Sequence, residues 1–163
     1  MKNFLLLCGV GLLVVCSLGA DVQVEDTFVD NGYKITEIRR DENLKKPFHI
    51  NSVTTNSSGQ LQLKLDSLDT SPSDLATEIE GQWTGEIQNS DSGEEQDVTL
   101  TLKKRCVCGD GSGYIKCPKC TCPENCTEVE WILYISKAPG PGDEMIFGRD
   151  PDFLYLVEPV VTE

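Results

Sequence analysis

Six cysteines are packed into the twenty-one residues Cys106–Cys126, which read CVCGDGSGYIKCPKCTCPENC. They are Cys106, Cys108, Cys117, Cys120, Cys122 and Cys126. No other feature restricts the fold as much, because thiols this close together must be bonded to one another, bound to a metal or kept reduced. The choice depends on compartment. The chain's other two cysteines, Cys8 and Cys16, lie in a segment that bears on it: Met1-Lys2-Asn3 is followed by an apolar block from Phe4 to Val15 and then by Cys16-Ser17-Leu18-Gly19-Ala20. A charged start, an apolar centre and a small-residue end describe a secretory signal peptide, with cleavage expected after Ala20. The apolar block is shorter than the roughly 20 residues that a membrane span needs. The expected product, residues 21–163, is therefore soluble, secreted and extracellular, and its even set of six cysteines should form three disulfides.

Pairing is less constrained than existence. The glycines of Gly109-Asp110-Gly111-Ser112-Gly113 favour a tight reversal, which sets the limb carrying Cys106 and Cys108 beside the limb carrying Cys117, Cys120 and Cys122. Bonded cysteines need Cα atoms within roughly 7 Å. Pairs such as Cys108–Cys117 and Cys106–Cys120 then become feasible and leave Cys122 with Cys126. Fully extended, that last segment spans about 13 Å, so the pair requires a turn at Pro123-Glu124-Asn125. Two rivals use the same thiols. Cys117-Pro118-Lys119-Cys120 is a CxxC that could join Cys106 and Cys108 around zinc, but a zinc ribbon prefers two such knuckles. A redox CxxC would ordinarily sit in a thioredoxin-like βαβ unit, and no such alternation is present. Neither metal nor cofactor is expected.

Elsewhere the pattern is that of strands. Tyr33–Ile38, Phe48–Val53, Leu61–Asp66, Gln82–Gln88, Val98–Leu102, Val129–Ser136, Met145–Phe147 and Phe153–Val157 alternate apolar with polar residues or are short apolar runs between turn signals. Asn56-Ser57-Ser58-Gly59 separates two of them as a hairpin turn. Asp21 to Asp30 reads as an acidic arm and Asn89 to Gln96 as a polar loop. One helix is expected after Ser71-Pro72, an N-cap followed by proline at the first helical position, with Leu75, Ala76 and Ile79 as its apolar stripe and Gly81 as its stop. Seven or eight strands and one short helix define a single all-β domain, an antiparallel barrel or a sandwich, with Cys106–Cys126 as a hairpin insertion.

From the helix onward the order of features resembles the lipocalin family, in its mammalian odorant-binding and aphrodisin-like group. Glu80-Gly81-Gln82-Trp83 is similar to the family's Gly-x-Trp signature, which opens the first barrel strand after a helical turn. Cys122-Pro123-Glu124-Asn125-Cys126 is similar to its CxxxC segment, again just before an apolar strand. The resemblance covers Ser71 to Ser136. It implies a β-barrel with Trp83 at its floor and a small hydrophobic ligand, such as an odorant, pheromone or lipid. The contacts would come from Trp83, Val98, Leu100, Leu102, Trp131, Leu133 and Ile135. The function so implied is extracellular carriage of that ligand.

A second reading comes from the cysteine stretch alone: a secreted module that contacts an extracellular protein, as an inhibitor or toxin-like ligand, through Tyr114, Lys116 and Lys119. Other classes fit poorly. A net charge of −13 disfavours nucleic acid and anionic membranes. The single histidine, His49, has no nucleophile motif near it, so no catalytic arrangement is expected. Two sequons, at Asn56 and Asn125, are candidate glycosylation sites. Asn125 is the poorer of the two on sequence, since a disulfide at Cys126 would be expected to hide it.

Overall fold

The computed structural model of the chain describes residues 24–161; the expected leader at residues 1–20 lies outside the described residues. Eleven strands and one helix follow one another: β1 (Val24–Asp30), β2 (Tyr33–Arg39), β3 (Phe48–Thr55), β4 (Leu61–Leu68), α1 (Pro72–Gln82), β5 (Thr84–Asn89), β6 (Glu95–Val98), β7 (Leu100–Val107), β8 (Gly113–Lys116), β9 (Glu128–Ile135), β10 (Asp143–Arg149) and β11 (Phe153–Pro159). They form two antiparallel sheets, β1-β2-β11-β10-β5-β6 and β3-β4-β9-β7-β8. The sheets do not close on each other, so the all-β expectation holds in its sandwich form and the barrel does not.

Alternation explains the interface between them. Leu61, Leu63 and Leu65 of β4 face the same interior as Leu133 and Ile135 of β9 and Leu100 and Leu102 of β7, and the registers set these residues opposite one another. Met145, Phe147, Phe153, Tyr155 and Val157 supply the facing layer from the six-stranded sheet. Between the layers lies an aromatic group. Phe48 from the five-stranded sheet stacks on Tyr155 at 5.4 Å, and Tyr155 stacks on Phe147 at 4.9 Å. Trp83 completes it, 5.6 Å from Phe48 and 5.8 Å from Tyr155. Such offset contacts add about 0.5–1.5 kcal/mol per pair beyond the area they bury.

Helix α1 begins as its sequence indicates. The Ser71 hydroxyl accepts the amide of Asp74 at 3.2 Å, and Pro72 takes the first helical position. Leu75 and Ile79 are buried in the core. The helix runs through Gly81 to Gln82 and ends at Trp83, so the glycine does not stop it; burial of the tryptophan fixes the exit.

Three further strands depart from the sequence reading. The acidic arm at Asp21–Asp30 contains β1, and the polar loop at Asn89–Gln96 contains the start of β6. Both are edge strands, β1 against β2 and β6 against β5; their residues are largely exposed, so little alternation marks them. The third, β8, lies within the cysteine stretch. Val98–Leu102, expected as one strand, is divided between the sheets. Val98 ends β6 and Leu100 opens β7, and both are buried on either side of exposed Thr99. Ser136 holds this corner, its Oγ accepting the Thr99 amide at 2.9 Å while its own amide donates to the Thr99 carbonyl at 3.0 Å.

Gly85 lets β5 sit between its neighbours. It is opposite both Phe147 and Val98, and a Cβ there would lie 2.7 Å from Val98 Cγ2 and 3.3 Å from Phe147 Cβ. Gly85→Ala is expected to lower unfolding stability by about 1–3 kcal/mol through overpacking. Adding Val98→Ala should recover part of that loss, giving a coupling of at least about 0.5 kcal/mol between the two sites in urea titrations. Strict additivity would show that the close approach is not limiting.

Candidate functional site

The cysteine stretch lies at one end of the five-stranded sheet. Strand β7 leads into a turn at Cys108–Gly111, closed by a bond of 3.0 Å from the Gly111 amide to the Cys108 carbonyl. Gly111 has φ +86°, a conformation that other residues rarely adopt. Asp110 Oδ1 accepts the Ser112 amide at 3.0 Å and its hydroxyl at 2.5 Å, and these two bonds hold the carboxyl below its ordinary range. The chain returns as β8, with Lys116 opposite Lys104, Ile115 opposite Arg105 and Tyr114 opposite Cys106. The reversal expected from the glycines is therefore present.

The disulfides are not those the hairpin suggested. Three are formed, as expected in number, but they join Cys106 to Cys122, Cys108 to Cys126 and Cys117 to Cys120. The pairs Cys108–Cys117, Cys106–Cys120 and Cys122–Cys126 do not occur. The reason is the strand order β9-β7-β8. The segment from β8 to β9 must cross the face of β7, and Cys122 and Cys126 fasten this crossover to Cys106 on β7 and Cys108 just beyond it. Cys106, Cys108 and Cys126 are buried together, with Cys122 packed against them. Cys117 and Cys120 close a small ring of their own before the crossover begins.

Two groups of cations surround the staple. On the sheet's outer face Glu130 accepts Lys64 Nζ at 2.8 Å and Arg105 Nη1 at 3.2 Å, linking β4, β9 and β7. The Lys64 bond comes first; the Arg105 bond and both positive charges add to it and outweigh desolvation, so the Glu130 carboxyl is held below its usual range. Lys103 lies over the Tyr134 ring at 5.1 Å. On the opposite face Lys104 and Lys116 stand opposite each other beside Trp131, which is also opposite Lys104. Among the described residues neither lysine has a carboxylate partner. One register step further toward the hairpin, Tyr114 and Val129 flank Cys106, with 49% and 41% of their surface exposed. Ile115, 45% exposed, lies on the outer face. Of the three contact residues expected from sequence, Tyr114 and Lys119 are exposed and Lys116 is half-buried. Lys104 and Val129 join them; sequence reasoning missed both, because only the register puts them beside β8.

The seven residues expected to contact a hydrophobic ligand are together, but as packing. Trp83, Val98, Leu100, Leu102, Leu133 and Ile135 are buried members of the core, and Trp131 packs against it half-buried. A recess of about 220 Å³ elsewhere is lined by Ile87, Asn89, Ser92, Glu94, Gln96, Lys137 and Asp143. None of the seven lines it, and its lining is mainly polar. His49 is exposed, its Nε2 3.3 Å from Asp69 Oδ2. The second sequon also differs from expectation. Asn56 is half-buried, its side-chain oxygen accepting the Ser58 and Gln60 amides and its Nδ2 donating to Gln60 Oε1. Asn125 is exposed, and the disulfide at Cys126 does not hide it.

The Glu130 bridge generates a pH dependence. A carboxyl with a depressed folded pKa contributes stability that is complete above its unfolded value, roughly 4.3, and is lost as pH falls through the folded value. Both cations are more than a third exposed, so solvent screening limits the contribution to at most about 1 kcal/mol. Glu130→Gln should lower stability by that amount at neutral pH and by nothing once the carboxyl is protonated, as read from urea midpoints across pH. A difference independent of pH would place the effect in packing.

Comparison of the chain with protein-family models, with curated proteins and with solved structures finds no match.

Proposed function

We propose that this chain is an exported protein-interaction module whose binding surface is the stapled end of the five-stranded sheet, and that its partner presents an extended acidic segment. The observation that carries this reading is the edge strand β8. It is the last strand of its sheet, it holds exposed Tyr114 and Ile115, and its last residue Lys116 lies opposite Lys104 of β7, neither lysine having a carboxylate partner among the described residues. An unpaired strand edge offers backbone donors and acceptors to an added strand, and alternate side chains of that strand meet alternate pockets or charges. The two lysines would supply those charges.

Two further features support it. Like charges directly opposite each other on a sheet are destabilising, and an acidic partner relieves that repulsion. The disulfides also restrict the surface before binding, which reduces the ordering cost of association. Export is part of the same proposal. Three disulfides are typical of extracellular proteins, and among the described residues no helix is long and apolar enough to cross a membrane.

The lipocalin-type carrier reading asks more of the molecule. Its ligand would have to occupy space that six buried core side chains and Trp131 now share. A surface function leaves that packing intact, and for this reason the geometry supports it better.

A synthetic peptide alternating valine with glutamate tests the proposal against its lysine counterpart. The glutamate peptide is expected to bind, to shift the amide resonances of Gly113–Lys116 and to weaken as salt is raised. Lys104→Glu combined with Lys116→Glu should abolish the binding without loss of the folded spectrum. Equal binding of the two peptides, or resonance shifts confined to another edge, would overturn the assignment. A displaceable hydrophobic probe bound at one site per chain, and insensitive to both lysine changes, would instead favour carriage.

A further inference from the structure

Of the three disulfides, Cys117–Cys120 does not share the role of the other two. Cys106–Cys122 and Cys108–Cys126 close separations of 16 and 18 residues and fix the crossover to β7. Cys106, Cys108 and Cys126 are nearly or wholly inaccessible, at 0%, 4% and 3% exposure. Cys117–Cys120 closes a separation of 3 residues. Cys117 is exposed, Cys120 is half-buried, and neither belongs to the buried cysteine cluster. Their segment follows the last residue of β8 and pairs with no strand; its own backbone bond runs from the Cys120 amide to the Cys117 carbonyl at 3.0 Å. This ring therefore fastens no two elements together.

We infer that Cys117–Cys120 is a thiol–disulfide exchange site that takes small thiols as its reductant. The inference is independent of the proposed peptide surface. Access is the first argument: exchange requires a thiolate to reach a sulfur, and Cys117 is exposed, whereas Cys106, Cys108 and Cys126 are buried and Cys122 is half-buried against them. Ring size is the second. A disulfide's contribution to the fold grows with the length of the loop it closes, so the ring of separation 3 contributes least and, by linkage, the fold adds least to its resistance to reduction. Charge is the third. Lys116 precedes Cys117 and Lys119 precedes Cys120, and neither ammonium has a carboxylate partner among the described residues. A positive charge beside a cysteine favours the thiolate, both in the attacking anion's approach and in the departing sulfur.

The step balances without any other reagent. A thiolate attacks Cys117 Sγ, the Cys117–Cys120 bond breaks, and Cys120 leaves as a thiolate next to Lys119. The product is a mixed disulfide on Cys117. A second thiolate attacks the small-molecule sulfur of that mixed disulfide, giving the oxidised small disulfide and releasing the Cys117 thiolate. Two electrons pass from two thiols to the protein, and the two protons given up by those thiols are taken up by Cys117 and Cys120 to the extent that they are protonated.

The test is stepwise reduction of the unaltered oxidised protein in glutathione buffers of graded ratio, with acid quenching, alkylation and peptide mass mapping. Cys117 and Cys120 should be alkylated together and first, with an exchange constant at least about tenfold more favourable than for either other pair, or about 30 mV. Cys106, Cys108, Cys122 and Cys126 should remain bonded, and the near-ultraviolet circular dichroism should be retained. Opening of all three bonds together, or of either buried pair first, overturns the inference. A Cys117→Ser, Cys120→Ser double variant should retain the dichroism and lose the first phase of thiol consumption. Persistence of that phase in a folded double variant overturns it equally.

Discussion

The contact between Phe48 and Tyr155 is the interaction on which the two-sheet arrangement depends. Phe48 belongs to β3 and Tyr155 to β11, so their stacking at 5.4 Å is a bond between layers rather than within one. Phe147 extends the stack along the six-stranded sheet, and Trp83 brings in the end of the helix. Together they bring strands distant in sequence to one place. Burial pushes the Tyr155 hydroxyl's pKa up, with the nearby Glu37 adding to the effect, so the ring stays neutral across the physiological range. The smaller aliphatic residues then fill the interior around this group.

Much of the plan was legible because burial leaves a period. Leu61, Leu63 and Leu65, then Leu133 and Ile135, alternate because one face of each strand meets the core. Ser71-Pro72 announced the helix for a similarly local reason, the need of its first amides for an acceptor. The edge strands left weaker traces. Glu95, Gln96 and Asp97 of β6 are all exposed, and a strand that buries almost nothing carries no alternation to read. Thr99 shows another limit. A strand that passes from one sheet to the other reads as continuous, since Val98 and Leu100 are apolar on both sides of the corner. Its bend is set by Ser136, thirty-seven residues away.

The cysteines separate local from global information most sharply. The reversal at Gly109–Gly113 was legible, because Gly111 needs a positive φ and the sequence provides a glycine there. The pairing was not. It follows from β9 lying beside β7 on the side away from β8, which obliges the returning chain to cross over Cys106. No spacing within Cys106–Cys126 encodes which strand lies next to β7. The expected ligand contacts failed to separate from the core for a related reason. A side chain facing a cavity and one facing another sheet have the same alternation, so Leu100, Leu102, Leu133 and Ile135 satisfy either description.

The position of the staples carries a physical argument about why they are there. A domain with so complete an interior does not need disulfides at its centre, and it has none there. They occur where the local forces oppose order. Strand β8 has only four residues, and it sets Lys116 directly against Lys104. Its turn is rich in glycine, which loses much conformational freedom on folding. Short length, like charges and glycine entropy all favour a frayed end, and Cys106–Cys122 and Cys108–Cys126 offset them by tying the crossover across β7. Lys104 and Lys116 are thus held together against their mutual repulsion, on a chain whose net charge is −13. On the function proposed above, two such cations on a negative molecule would give an approaching acidic partner both a direction and an orientation. On that proposal the arrangement is a surface kept ready for a negative ligand, with Cys106–Cys122 and Cys108–Cys126 holding two unpaired cations in place.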